Sequence, residues 1–182
     1  MTERISLQHL NTCDPEAFCA ALADIWEHAP WVARRVVGQR PFASTEALHR
    51  AMVAVVAGLD EGERVALYAG HPDLAGEDAR RGAMTAASVD EQGTLGLGCI
   101  DGQEAERWDE LNRAYRARFG FPFILCIRRH TRESALQAFL QRLEHDRATE
   151  LANALDEIAT VTRLRLERLV PDLADPARPL SS

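Results

Sequence analysis

No lysine occurs in these 182 residues, so all 21 basic side chains are arginine. Schiff-base chemistry and lysine-held pyridoxal phosphate are thereby excluded. No run of about 18 apolar residues exists, which excludes a membrane-spanning helix. Cysteine is scarce and scattered: Cys13, Cys19, Cys99 and Cys126 form no C-x-x-C pair. Neither a zinc knuckle nor a dense disulfide framework is expected from that spacing. Positive charge is in deficit too. The net charge of −7 sets up repulsion against a phosphate backbone, which argues against a nucleic-acid partner. The start, Met1-Thr2-Glu3-Arg4, lacks the basic-then-apolar pattern of a secretory signal, and the expected compartment is the reducing cytoplasm. What is present is 46% hydrophobic residues, enough for one core and too many for a disordered chain.

Almost every segment has helical spacing. Asp14 and Pro15 are a cap and first-turn signal for a helix reaching about His28, with Phe18, Ala21 and Ile25 on one stripe. Pro30 ends it, and a shorter helix runs to Val36 or Val37. Ser44 caps a helix with Leu48, Met52, Val55, Val56 and Leu59 at 3–4 spacing, and Asp60 opens another that stops at Gly70. Glycines then cluster at 70, 76, 82, 93, 96 and 98. Helix resumes from Gln103 to Phe119, with Trp108, Leu111, Tyr115 and Phe119 aligned. The run Phe121 to Ile127 contains Pro122 and has no partner strand, so it is expected to be a buried extended connection. A helix from Thr131 to about Asp146 should turn Ala135, Leu136, Phe139, Leu140 and Leu143 inward, and the last helix runs from about Thr149 to Leu169. The expected architecture is all-α. A single domain over residues 1–170, a helical bundle of about eight or more helices, carries a buried extended segment near 121–127 and a flexible tail over 171–182.

Functional sites tend to sit where local rules are broken. In the last helix Leu151, Leu155, Ile158, Thr162, Arg165 and Leu169 recur at alternating steps of 4 and 3, so Arg165 lies on the apolar stripe and Arg163 points away. A guanidinium there must be paired, either by a structural carboxylate or by a ligand anion that fits its bidentate fork. Gly70-His71-Pro72-Asp73-Leu74 brackets a histidine with glycine and proline just after a helix end. His71 is thus either an inert loop residue or a positioned proton donor. Ser88 and Glu91 have capping-box spacing, and a helix start also offers free N–H groups to an anion. Gly93, Gly96 and Gly98 do not follow a strand, so a dinucleotide site is rejected. Cys99 has no assigned base, and Cys126 sits in an apolar run that keeps a thiol inert.

Taken together, Gly70-His71-Pro72-Asp73-Leu74, Ser88-x-x-Glu91-Gln92, Phe119-Gly120-Phe121-Pro122-Phe123 and Arg163-Leu164-Arg165-Leu166 resemble the 2-oxo-4-hydroxy-4-carboxy-5-ureidoimidazoline (OHCU) decarboxylases of uric acid breakdown. The resemblance covers about Phe18 to Leu169. It implies an all-α fold, a homodimer, no metal, no organic cofactor and a small-molecule substrate, OHCU, converted to (S)-allantoin and carbon dioxide. It also implies His71 as catalytic acid, Glu91 as its partner carboxylate and Arg165 as the arginine holding the substrate. Pro72, Ser88 and Gln92 match substrate contacts, and Phe123, Ile124, Leu125, Cys126 and Ile127 match the segment whose backbone lines the ring. The alternative is a non-catalytic all-α module that binds another small anion or a partner protein.

Overall fold

The computed structural model describes residues 4–76, 100 and 102–171. Among them are eight α-helices and no strand: α1 (Leu7–Thr12), α2 (Pro15–Ala21), α3 (Trp31–Val36), α4 (Thr45–Ala57), α5 (Glu61–Ala69), α6 (Gly102–Phe119), α7 (Arg132–Leu143) and α8 (Arg147–Leu169). Short 3-10 turns follow α3 at Val37–Gln39 and precede α7 at Ile127–Arg129. The chain packs as two compact units. One comprises the residues up to Leu59 with those from Val161 onward, and the other comprises Asp60–Thr160.

The helix starts follow the capping rules. Asp14 Oδ1 accepts the N–H groups of Glu16 and Ala17, with Pro15 in the first turn, and Ser44 accepts from Ala47. Asp60 and Glu63 cap each other reciprocally at α5. Helix α5 stops at Gly70 as expected, but with φ −73°, so no left-handed turn is involved. Gly120, after α6, is the left-handed stop, at φ +81°.

In the first unit the core gathers Leu10, Phe18, Val32, Val36, Leu48, Met52, Val56, Leu166 and Val170. Helix α2 is shorter than its periodicity predicts. It ends at Ala21, and the chain turns through Leu22–Ala29 by bonds from Ile25 N to Leu22 O and from Ala29 N to Trp26 O, with His28 at φ +53°. That turn buries Ile25, Trp26 and Glu27 together, which a continuous helix would have spread around its circumference. Arg40 closes this side: its guanidinium donates to the carbonyls of Leu10 (3.1 Å), Cys13 (2.7 Å) and Val37 (2.9 Å), filling acceptors that helix ends leave open.

The second unit is built on an aromatic cluster. Tyr115 of α6 meets Phe121, Phe123 and Phe139 edge-on, with centroids 5.9, 5.4 and 5.6 Å away, while Phe123 stacks on Phe139 at 4.0 Å. The run Phe121–Ile127 is wholly buried and non-helical up to Cys126, as its apolar composition required. Leu140 is not inward as predicted. It is 43% exposed, and the buried face of α7 is instead Ala135, Phe139 and Arg142. A charged pairing rotates the helix this way. Glu150 of α8 is fully buried; it accepts Arg142 Nε at 2.7 Å and the Tyr115 hydroxyl, and lies 3.1 Å from His145 Nδ1. Burial and the bond to Glu150 hold the Tyr115 phenol protonated well above its ordinary range.

Removing one member of a buried ion pair strands the other. Glu150→Ala is therefore expected to cost about 3–5 kcal/mol in urea unfolding, while the double variant Arg142→Met, Glu150→Leu recovers most of that loss. Equal destabilisation by the single and double variants would show that the charge pairing is not what holds this core.

Candidate functional site

The Gly-His-Pro-Asp-Leu motif forms a loop pinned from both ends. The His71 N–H donates to Tyr68 O at 3.0 Å, so the loop starts as a continuation of α5. Asp73 is bonded by Arg116 Nε at 2.8 Å, and Leu74 O accepts Asn112 Nδ2 at 2.9 Å, both from α6. Ala75 is left-handed at φ +54°, and a Cβ at Gly76 would lie 2.7 Å from Asp73 Cβ. Only glycine tolerates so close an approach. His71 itself is half-buried, with Nδ1 shielded from solvent. A histidine on a backbone held this way, with one sheltered nitrogen, is a fit starting point for directed proton transfer.

The segment Phe123, Ile124, Leu125, Cys126 and Ile127 belongs to the same unit as His71 and Pro72, and all five residues are buried. Two of its backbone groups are taken by side chains: Ile124 O accepts Arg142 Nη1 at 2.8 Å, and the Cys126 N–H donates to Glu157 Oε2 at 2.7 Å. Arg165 belongs to the other unit. Its Nη1 lies 2.9 Å from Glu27 Oε2, with the two side chains 11% and 3% exposed. Arg163 is 46% exposed and only 3.9 Å from Glu167, so the helix-phase reading selected the inward arginine. One turn before Arg165, Thr162 is hydrogen-bonded to His49 Nε2 at 3.0 Å. Ser88, Glu91 and Gln92 lie outside the described residues, as does Cys99.

Sequence reasoning missed Glu27, Arg142, Glu150 and Glu157. A signal for Arg142 existed: Ala135, Phe139 and Arg142 follow the same 4-then-3 step that exposed Arg165. Glu27 had none, because its burial depends on the turn that ends α2.

Comparison with known proteins adds a second line of evidence. A family model described as OHCU decarboxylase matches residues 11–167. A protein of Haloferax volcanii named 2-oxo-4-hydroxy-4-carboxy-5-ureidoimidazoline decarboxylase is 38% identical over 162 residues, 89% of this chain and 94% of that one. The uric acid degradation bifunctional protein PucL of Bacillus subtilis is also 38% identical, over 92% of this chain and 33% of its own length. Among solved structures, an (S)-allantoin synthase superposes with a TM-score of 0.73 at 26% identity, covering 91% of this chain and 54% of that one. An OHCU decarboxylase crystallised in the presence of (S)-allantoin shares the fold, with a TM-score of 0.60 at 20% identity over 88% of this chain and all of that one.

Tyr68, which carries the His71 loop and packs edge-on against Phe121 at 5.4 Å, is fully buried, and its hydroxyl has no partner among the described residues. Burial pushes its pKa up to about 12, against a lowering by Arg64. An acid whose folded pKa is raised keeps its proton when the unfolded chain loses it, so this contribution is intact below pH 10 and lost as pH rises from 10 to 12. Tyr68→Phe is expected to leave stability at pH 7 within about 1 kcal/mol of the parent, because no bond is broken, and to flatten that alkaline loss. A large loss at pH 7 in thermal unfolding would refute the orphan assignment.

Proposed function

The chain belongs to the OHCU decarboxylase family, and we infer from that membership that it decarboxylates OHCU to (S)-allantoin and carbon dioxide in urate breakdown. The observation that carries this reading is the family match over residues 11–167, a span that contains the pinned His71 loop, the buried 123–127 segment and the inward Arg165.

Loss of carbon dioxide leaves an electron pair that needs a home. In OHCU a C=N bond adjoins the carbon bearing the carboxylate, so the substrate can accept that pair itself. The bond to the carboxylate breaks, its electrons form a C=C bond, and the nitrogen takes up a proton. The enol-like intermediate becomes allantoin when its hydroxyl loses a proton and the neighbouring carbon gains one on a single face. The tasks left to the protein are gripping an anion and delivering that proton. Arg165 is the arginine that holds the anionic substrate, a role that the bidentate fork of a guanidinium suits. His71 is the general acid–base. Glu91 and Gln92 grip the hydroxyl and ureido groups, Pro72 and Ser88 complete the contacts, and the backbone of 123–127 lines the ring. The compartment is the cytoplasm and the assembly a homodimer, whose mass light scattering of the purified protein tests. No described helix is long and apolar enough to cross a membrane.

Circular dichroism during in-situ oxidation and hydrolysis of urate is expected to show rapid formation of an optically active (S)-allantoin signal; slow racemic product would refute the activity. His71→Asn should keep the fold and lower turnover by about 10²–10⁴, the usual worth of general acid–base catalysis. Near-normal turnover would remove His71 from the mechanism. Arg165→Lys keeps a cation beside Glu27 but loses the fork, so kcat/KM should fall about 10- to 100-fold with stability largely retained. Unchanged kcat/KM would make Arg165 purely structural.

A further inference from the structure

Glu157 is half-buried on α8, among the apolar positions Leu151, Ala154 and Ile158 that form its inner face. Its Oε2 accepts the Cys126 N–H at 2.7 Å. Two residues back along the chain, the Ile124 carbonyl accepts Arg142 Nη1, and the same guanidinium sits 4.7 Å over the Phe123 ring. A non-helical stretch has no hydrogen-bond ladder of its own to fix its backbone, so its direction is set by whatever it bonds to. Here α7 and α8 set it, through one cation and one carboxylate. The carboxylate bond is charge-assisted and correspondingly strong.

We propose that Glu157 is a positioning residue for the substrate: by binding the Cys126 N–H it holds the 123–127 backbone in the direction that turns the groups of Phe123 and Leu125, not the Cys126 amide, toward the ligand. The proposal rests on the reading above that this segment lines the substrate. An amide has one hydrogen, and that of Cys126 is committed to Glu157, so it cannot also serve a ligand. The Ile124 carbonyl is engaged by Arg142 in the same manner. Glu157 does not touch the reacting atoms; it acts through the segment.

The test uses the full chain with Glu157→Ala and Glu157→Gln, and two readouts. One is steady-state kinetics on OHCU generated in situ. The other is the rate at which iodoacetamide modifies Cys126, followed by the mass of its peptide; the residue is 2% exposed and should react slowly while the segment is held. Glu157→Ala is expected to raise KM about tenfold with a smaller change in kcat, as loss of one half-buried charged hydrogen bond implies, and to speed Cys126 modification. Glu157→Gln keeps an oxygen acceptor and should restore both toward the parent values. An alanine variant with parental KM and parental labelling overturns the proposal, as does a glutamine variant as impaired as the alanine. Faster labelling with unchanged KM would show that Glu157 holds the segment but that the segment does not meet the substrate, which overturns the placement of substrate on 123–127 and the proposal with it. A parent protein that turns over no OHCU overturns the functional reading itself, whatever the labelling shows.

Discussion

A carboxylate with no exposure to water has to be neutralised and hydrogen-bonded within the fold, and Glu150 meets that condition by drawing on three elements at once. Tyr115 comes from α6, Arg142 from α7 and His145 from the turn before α8. Each of these bonds fixes the rotation of the element that supplies it. Arg142 can reach Glu150 only if α7 turns that side inward, which is why Leu140 is left outside. Once there, the same guanidinium covers Phe123 and takes the Ile124 carbonyl. The placement of the 121–127 run and the inward face of α7 thus follow from satisfying one buried charge, and the bond to Glu150 adds to burial in holding the Tyr115 phenol protonated.

The other unit also pairs an inward charge. Arg165 sits on an apolar stripe because Glu27 meets it, and Glu27 is available because α2 gives way to a turn at Leu22. A guanidinium suits this position better than an ammonium would. It offers several donors in one fixed plane, where an ammonium is a compact point charge. In a chain without lysine every cationic contact has that planar character, from Arg40 closing helix ends to Arg116 fixing Asp73.

Much of the fold was legible because its local rules are consistent. Ser44, Asp60 and Thr131 begin helices as capping side chains should, and the non-helical burial of 121–127 followed from its composition and proline. Of the site, His71 and Arg165 could be singled out because each breaks a local rule: glycine and proline around a histidine, and a charge on an apolar stripe. Arg142 broke the same rule and was passed over because Leu136, Leu140 and Leu143 offered a rival stripe of ordinary hydrophobicity on the same helix. Periodicity weighs side chains by polarity alone. It cannot know that a carboxylate elsewhere will make burying an arginine the better choice.

The amino-acid order alone determined where most helices start, that the fold is all-α, and which arginine of Arg163 and Arg165 faces inward. These depend on capping chemistry and a 100° step, both local properties of the chain. Only the tertiary structure decided the partners: Glu27 for Arg165, Glu150 for Arg142 and Tyr115, Glu157 for the Cys126 amide, and Asn112 and Arg116 for the loop after His71. Those pairings join residues from 8 to 138 positions apart, as in Arg142–Glu150 and Glu27–Arg165, and no local rule spans such separations. Charge pairing in a low-dielectric interior is set by which groups arrive within hydrogen-bond reach once the apolar faces have closed.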